Sequence, residues 1–392
     1  MKRRSVDREL VFHSHERNFH QLSVIVIMMK PWRDAATVIL AARQQQKINQ
    51  AVTSAVFQYD YKLLGLKRQK NASFMPGHHV FPGGTVDPAD ADLRWQNLYS
   101  RFGFDLTSFS SLLPRATTRP PIFKSRRNEL PREVSLRISA IRETFEECGV
   151  LLCRQSRKKG IWSDWAESFE FDKVEKKSWQ ERVHNEASEF YKMCEGLHCF
   201  PDVWSLHEWS NWLTPPFISG RRFDTIFFLA CMPSEPDTQC EPSEVEELRW
   251  DLPRDLINPT ATISLAPPQH YEIGRIAKFE SIDNLLDFAV ERSKIGSHLI
   301  CAVKAKLSDG MVFLLPGDSM YPKDPNFSEA QDLDFTNMTI AEFRSTSECK
   351  NRLEQYDIEV KRVVSENIDS KDGHLNPLPL ETVHVKSRVS KL

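Results

Sequence analysis

The chain lacks a long apolar segment, a CxxC pair, an internal repeat and a surplus of charge of either sign, and each absence narrows what it can be. The longest strongly apolar run, "LSVIVIMM" (Leu22–Met29), falls far short of the roughly 20 residues that a bilayer-spanning helix needs. A charged, His-rich stretch precedes it, so neither a transmembrane helix nor a secretory signal is expected. The eight cysteines are scattered. The closest spacings, Cys148 to Cys153 and Cys194 to Cys199, fit neither a usual zinc site nor a small secreted framework, which points to reduced thiols inside a cell. A formal net charge of -2 gives no global attraction to nucleic acid or to an anionic membrane, so an anionic ligand must be met by local chemistry. What the chain does have is 392 residues with 40% apolar content, enough for a proper core.

Residues 1–31 read as an extension outside the main fold, closed by "KPW"; Met28 and Met29 are alternative starts. "ATVILAAR" (Ala36–Arg43) and "FQYDYKLLGLKR" (Phe57–Arg68) read as strands joined by a Gln-rich loop. "FMPGHHVFPGG" is a loop of tightly prescribed shape, and residues 91–132 read as a loop-like insertion with a basic cluster, "KSRRNELPR". A helix is expected from near Pro131 to Cys148, stopped by Gly149. Helical patterns such as "WQERVHNEASEFYKMC" follow, then the aromatic "VWSLHEWSNWL". "RRFDTIFFLACMP" (Arg221–Pro233) is the strongest strand signal; "SEVEELRW" leads into another strand, "SIDNLLDFAVERS" into a helix, and "MVFLLPGD" into a strand and turn. Residues 319–392 read as a polar tail ending in Ser390, Lys391 and Leu392, a tripeptide that an import receptor reads as a peroxisomal address.

Chemistry enters with "RISAIRETFEECGVLL" (residues 137–152). At about 100° per residue, Glu143, Glu146 and Glu147 share one face of a helix, while Val134, Ile138, Ile141, Phe145 and Cys148 share the opposite one. Taken alone, such acids are ordinarily the wet side of a surface helix. Here, however, only Arg142 is at hand to balance them, four residues before Glu146, and they crowd the helix's C-terminal end, where the dipole disfavours them. A hard, oxygen-seeking cation shared with substrate phosphates would remove the conflict. The glycines of the "FPGG" loop add a second element, because without a Cβ a backbone can come close to an anionic group.

Together these segments resemble the Nudix hydrolases, whose signature is G-x5-E-x7-R-E-U-x-E-E-x-G-U. Gly84 begins the first half and Arg142 to Val150 supply the second. Asp90 stands for the first glutamate, Thr144 for an apolar residue, and 51 residues separate Asp90 from Arg142 where the signature has 7. The interrupted box, the flanking motifs and the Ser-Lys-Leu end look like the peroxisomal coenzyme A diphosphatase branch. Leu63, Leu64, Gly77, Phe81, Pro82, Gly83 and Gly84 fit that branch's coenzyme A motif, whereas Lys67 and Ser73 replace arginines.

The resemblance implies an α/β fold, a Nudix α/β/α sandwich with a mixed central sheet over residues 32–318, the insertion within the box, and additional helices C-terminal to it. It implies Mg²⁺ or Mn²⁺ on Glu143, Glu146 and Glu147, with Arg142 orienting the carboxylates and Glu244 as general base, beside Glu246 and Glu247. Gly83 and Gly84 would approach the phosphates. Lys67, Arg68, Arg221 and Arg222, with Arg126 and Arg127 of the insertion, are possible contacts for the 3'-phosphate, and the tryptophans of "VWSLHEWSNWL" are either core or a stacking surface for adenine. His78 and His79 receive no role. The substrate would be coenzyme A or an acyl-CoA; NADH, ADP-ribose or an inactive Nudix-fold binding module are the alternatives. Against these, the S-Q-P-W-P-F-P-x-S stretch of NADH-cleaving relatives is absent, and all three box glutamates are present.

Overall fold

A computed structural model describes residues 32–44, 59–72, 74–156, 163–258, 263–356, 360–370 and 372–381. The N-terminal extension, Ser73 and the Ser-Lys-Leu end lie outside the described residues.

In chain order the strands of the central sheet are β1 (Arg33–Arg43), β2 (Tyr61–Arg68), β3 (His79–Val80), β4 (Gly83–Thr85), β7 (His207–Leu213), β8 (Phe223–Met232), β9 (Val245–Asp251) and β10 (Leu299–Ile300). Between them run the helices α1 (Arg94–Arg101), α2 (Arg132–Cys148), α3 (Lys173–Asn185) and α4 (Glu189–Gly196), and a two-strand ribbon of β5 (Cys153–Arg154) with β6 (Phe200–Pro201). Helices α5 (Pro253–Leu256), α6 (Pro267–Ile276) and α7 (Ile282–Ser293) follow β9. The central order is β10-β7-β8-β1-β2-β3, with β4 also on β1 and β9 also on β2. It is a mixed sheet: β1 with β8 and β7 with β10 are parallel, and the other pairs are antiparallel.

β1 is buried on both sides, as its nearly unbroken apolar sequence demands. Side chains alternate across a strand, so Ala36, Val38 and Leu40 join the core shared with α2, while Ile39 and Ala41 join that shared with α6 and α7. The result is the expected α/β/α sandwich. The "WQERVHNEASEFYKMC" pattern forms two helices, α3 and α4, with a break at Glu186–Ser188, and "VWSLHEWSNWL" is largely the buried strand β7.

Two expectations are corrected. The insertion is not a bulging loop. It contains α1 and places Trp95, Leu98, Tyr99, Phe104, Phe109, Ile122 and Phe123 in the main core. Tyr99 meets Phe109 at 5.1 Å and Trp204 at 5.9 Å, and its hydroxyl donates to the Pro201 carbonyl at 2.7 Å. Each such aromatic pair contributes about 0.5–1.5 kcal/mol beyond its area, so the insertion closes its own long loop. Only Lys124–Asn128 form a continuous exposed stretch near its end.

Nor do the described residues between 319 and 381 form a tail. Strands β11 (Val303–Leu307), β12 (Gly310–Leu314), β13 (Asp332–Phe335), β14 (Lys350–Gln355), β15 (Val360–Glu366) and β16 (Leu380–Glu381), with helix α8 (Ile340–Ser345), build a second, six-stranded sheet in the order β13-β11-β12-β14-β15-β16. The boundary expected at residue 318 cuts through it: Asp318 accepts both Nε and Nη2 of Arg352 on β14, at 2.6 and 2.7 Å. Among the described residues no helix is long and apolar enough to cross a membrane. The sulfurs of Cys153, Cys194 and Cys199, whose chain spacings suggested no site, all lie within 4.8 Å of one another in the core.

Candidate active site

Helix α2 starts after Pro131 and ends at Gly149, whose φ of 67° is the left-handed conformation that a glycine adopts without strain. Val134, Ile138, Ile141, Phe145 and Cys148 are fully buried on one side. The other side is not wet. The side chains of Glu143, Glu146 and Glu147 retain only 13%, 9% and 4% of their exposure and face a cavity of about 620 Å³. The helix is held at both ends of that face. Arg132 donates to Asp34 of β1 at 2.9 Å, and Arg142 donates to Asp90 through Nε at 2.8 Å and Nη2 at 2.9 Å. The Asp90 pair joins the two halves of the interrupted signature across the insertion.

Arg142 also lies 2.9 Å from Glu143, donates to Glu146, and donates to the Thr85 carbonyl at 3.1 Å. Burial alone would loosen its proton; Asp90, Glu143 and Glu146 around it hold that proton more firmly than usual. One guanidinium does not balance so many carboxylates. Burial pushes the Glu143 carboxyl up to about 8 and the Glu146 carboxyl up to about 7, against the opposing pull of Arg142. Glu147 is raised as well, by burial and by Glu143, although it accepts the Gly83 N–H at 2.8 Å.

Those oxygens are hard donors in a site short of positive charge, which fits a hard divalent metal ion. In their present rotamers the three carboxylates do not all come within 4.8 Å of one another, a distance met among the described residues only by the three cysteines. An ion held by all three would draw at least one of them from its present partner.

The glycine pair serves the site differently from expectation. The Gly83 N–H is committed to Glu147, not turned to a phosphate. A Cβ on Gly84 would stand 2.3 Å from Glu143 Oε2, and one on Gly83 would stand 2.5 Å from the Ala36 carbonyl. These glycines let β4 lie between β1 and the acid helix.

Glu244 lines the cavity and its charge adds to the raised values of Glu146 and Glu147; Glu246 instead pairs with Lys67 at 2.8 Å and Glu247 is exposed. Arg68 and Arg221 line the cavity, Arg68 with Nη1 3.9 Å from Glu147. Lys67 and Arg222 do not. Lys67 is turned to Glu246, and Arg222 is buried, donating to the carbonyls of Thr214 and Phe327. Arg126 is occupied by Asp34, and neither it nor Arg127 lines the cavity. Trp204 and Trp209 are core; Trp212 lines the cavity with its Nε1 fixed on Glu272 at 2.7 Å. His79 is buried with both ring nitrogens unpartnered, and burial lowers its pKa.

Sequence reasoning missed His184, whose Nδ1 is 3.8 Å from Glu146, together with Asn185, Phe217, Phe313 and Leu353, all of which line the cavity. His184 occupies the last turn of α3, and no local spacing links it to α2.

A family model described as the NUDT19 Nudix domain matches residues 32–276, and one described as the NUDT19 C-terminal domain matches residues 305–363. The acyl-coenzyme A diphosphatase NUDT19 of Xenopus laevis is 35% identical over 376 residues, covering 90% of this chain and 97% of that protein. Its namesake from Homo sapiens is 36% identical over 311 residues, covering 76% and 82%. The crystal structure of a NUDIX hydrolase from Alicyclobacillus acidocaldarius is 20% identical with a TM-score of 0.45, covering 65% of this chain and 96% of that one. Nudix hydrolases generally use divalent metal ions. A matched family model that contains the whole split signature, and relatives alike across nearly the full chain, make this protein a member of the NUDT19 branch of the Nudix hydrolases.

Proposed function

We propose that the protein hydrolyses the diphosphate bond of coenzyme A and acyl-CoA esters, giving 3',5'-ADP and 4'-phosphopantetheine or its acyl form. The observation that carries this reading is the excess of buried carboxylates over cations at one end of a cavity large enough for an extended substrate. The names of the NUDT19 relatives supply the substrate class.

Glu143, Glu146 and Glu147 would hold Mg²⁺ or Mn²⁺, which when bound neutralises the diphosphate and acidifies a water. Water oxygen joins one phosphorus, the bridging P–O bond breaks, and Glu244 takes the water's proton. Arg142 holds Glu143 and Glu146 in position, while Arg68 and Arg221 offer charge to phosphate oxygens. In the cell the Ser390-Lys391-Leu392 end would direct the chain to peroxisomes through the import receptor.

A magnesium-dependent screen of coenzyme A, acyl-CoAs, NADH and ADP-ribose tests the reading. Release of 3',5'-ADP from coenzyme A substrates is expected, and a preference for NADH or ADP-ribose would replace it. Loss of peroxisomal import on deleting the last three residues tests the address.

A further inference from the structure

The described lining of the cavity changes character along its length. The acids come from α2, Asp87 and Glu244, and the Gly83 N–H fixes Glu147 at β4. From there the lining crosses the central sheet strand by strand: Gly83 is opposite Thr37 on β1, Thr37 is opposite Phe227 on β8, Trp212 on β7 is opposite Thr225 of β8, and Ile300 on β10 is opposite Trp212. Gly83, Thr37, Thr225, Phe227 and Trp212 all line the cavity, as does Ala302, two residues beyond β10. At about 4.8 Å per strand, β7 stands roughly 14 Å and β10 roughly 19 Å from the β4 end.

The second sheet closes the far end. Phe313 of β12 and Leu353 of β14 are register partners, both line the cavity, and Phe313 stacks on Phe217 with ring centres 5.5 Å apart and planes at 16°. No charged side chain of the described lining comes from β7, β12 or β14. Apolar lining of this kind holds a hydrocarbon and would leave a phosphate unsolvated.

Resting on the diphosphatase reading, we propose that the second sheet is the acyl-selectivity wall of the enzyme, and that the fatty acyl chain of the substrate lies against Phe217, Phe313 and Leu353. The dimensions support it. A pantetheine arm held by its phosphate at the acid end extends roughly 15 Å to its sulfur, taking about 3.5 Å for every three bonds of an extended chain. The thioester therefore arrives near β7, and whatever the sulfur carries continues onto the second sheet. Free coenzyme A ends before that wall. The region read from sequence as a tail is on this view part of the substrate site, and it acts on affinity for the chain without touching the reacting phosphorus.

The test compares free coenzyme A, acetyl-CoA, octanoyl-CoA and dodecanoyl-CoA as substrates of the full chain with Mg²⁺. For the wild type, KM is expected to fall by up to roughly fourfold for each methylene that becomes buried, until the compartment is full. Leu353→Trp, which fills the far end, should lower kcat/KM for dodecanoyl-CoA at least tenfold more than it lowers that for coenzyme A. Phe313→Ala, at a less buried position, should raise KM for the long chains by about tenfold and leave kcat unaltered. Coenzyme A turnover reports that each variant is folded. If both variants prove unfolded, the wild-type chain-length series decides. A KM independent of chain length, or equal effects on coenzyme A and dodecanoyl-CoA, overturns the proposal while the diphosphatase reading stands. Absence of turnover of every coenzyme A substrate by the wild type would instead remove the reading on which it rests.

Discussion

Glu208 on β7 and the glutamates of α2 are buried alike and behave oppositely toward protons. Glu208 receives two hydrogen bonds from Arg119, at 2.8 and 2.7 Å, and two more from the Ser297 N–H and hydroxyl, both at 2.6 Å. Burial pushes its carboxyl up, but those donors outweigh burial and hold it below the ordinary range. Glu143, Glu146 and Glu147 share one guanidinium and one N–H as close donors, with Arg68 no nearer than 3.9 Å to Glu147; these are too few, and all three are raised. Donor count, not burial, separates a carboxylate that secures the fold from one that, on the proposed reading, would hold a cation.

Substituting one member of each set would break the comparison most visibly. Glu147→Gln should lower kcat by on the order of a thousandfold, equivalent to a few kcal/mol of transition-state stabilisation, while the metal-free chain unfolds at the same or higher urea concentration. Glu208→Gln should do the reverse, costing about 3 kcal/mol in urea unfolding because Arg119 loses a charged partner, with kcat of the folded fraction retained. A thousandfold loss of kcat in Glu208→Gln would collapse the distinction.

A smaller effect sharpens the placement of the acids. Gly84→Ala puts a methyl 2.3 Å from where Glu143 Oε2 now stands, and the shift of about 1 Å that relieves the contact should lower kcat by about a hundredfold with little change in thermal midpoint. Unchanged kcat would mean that Glu143 can move freely.

The smallest effect concerns pH. The Glu143 and Glu146 carboxyls hold protons more tightly folded than unfolded. Their favourable contribution to the metal-free chain is complete below their ordinary value of 4.5 and is lost as pH rises through about 7 and about 8. Added Mg²⁺ competes with those protons, so the rise in thermal midpoint on adding it should be a few degrees larger at pH 8 than at pH 6. An equal rise at both values would show that the ion binds elsewhere.

Much of the acid end could be read from the sequence because its instructions are local: a helical period, a Gly149 stop, a glycine pair and a carboxylate spacing. Other features depend on partners far along the chain. Lys67 and Arg68 are neighbours, yet strand alternation turns one toward Glu246 and the other toward Glu147. Arg221 and Arg222 divide in the same way between cavity and interior. The second sheet escaped notice because its strands are short and rich in charge, as in "VKAKL", where Lys304 and Lys306 find Asp332 only after the chain has returned as β13. Its apolar face exists only once six distant segments assemble. The insertion's aromatics were similarly silent until Trp204 and Phe200 gave them a surface.

The link between Asp90 and Arg142 bears on how the molecule would survive damage. Lys124–Asn128 are exposed and include two arginines, an inviting place for a trypsin-like protease to cut. A cut there leaves Gly84 and Asp90 on one fragment and Arg142 with the acid helix on the other. The Asp90–Arg142 pair, the Arg132–Asp34 pair and the contacts of Tyr99 with Phe200 and Trp204 still span the break. The nicked chain should therefore co-elute as a single species and keep its activity: an active centre whose signature is shared between two polypeptides.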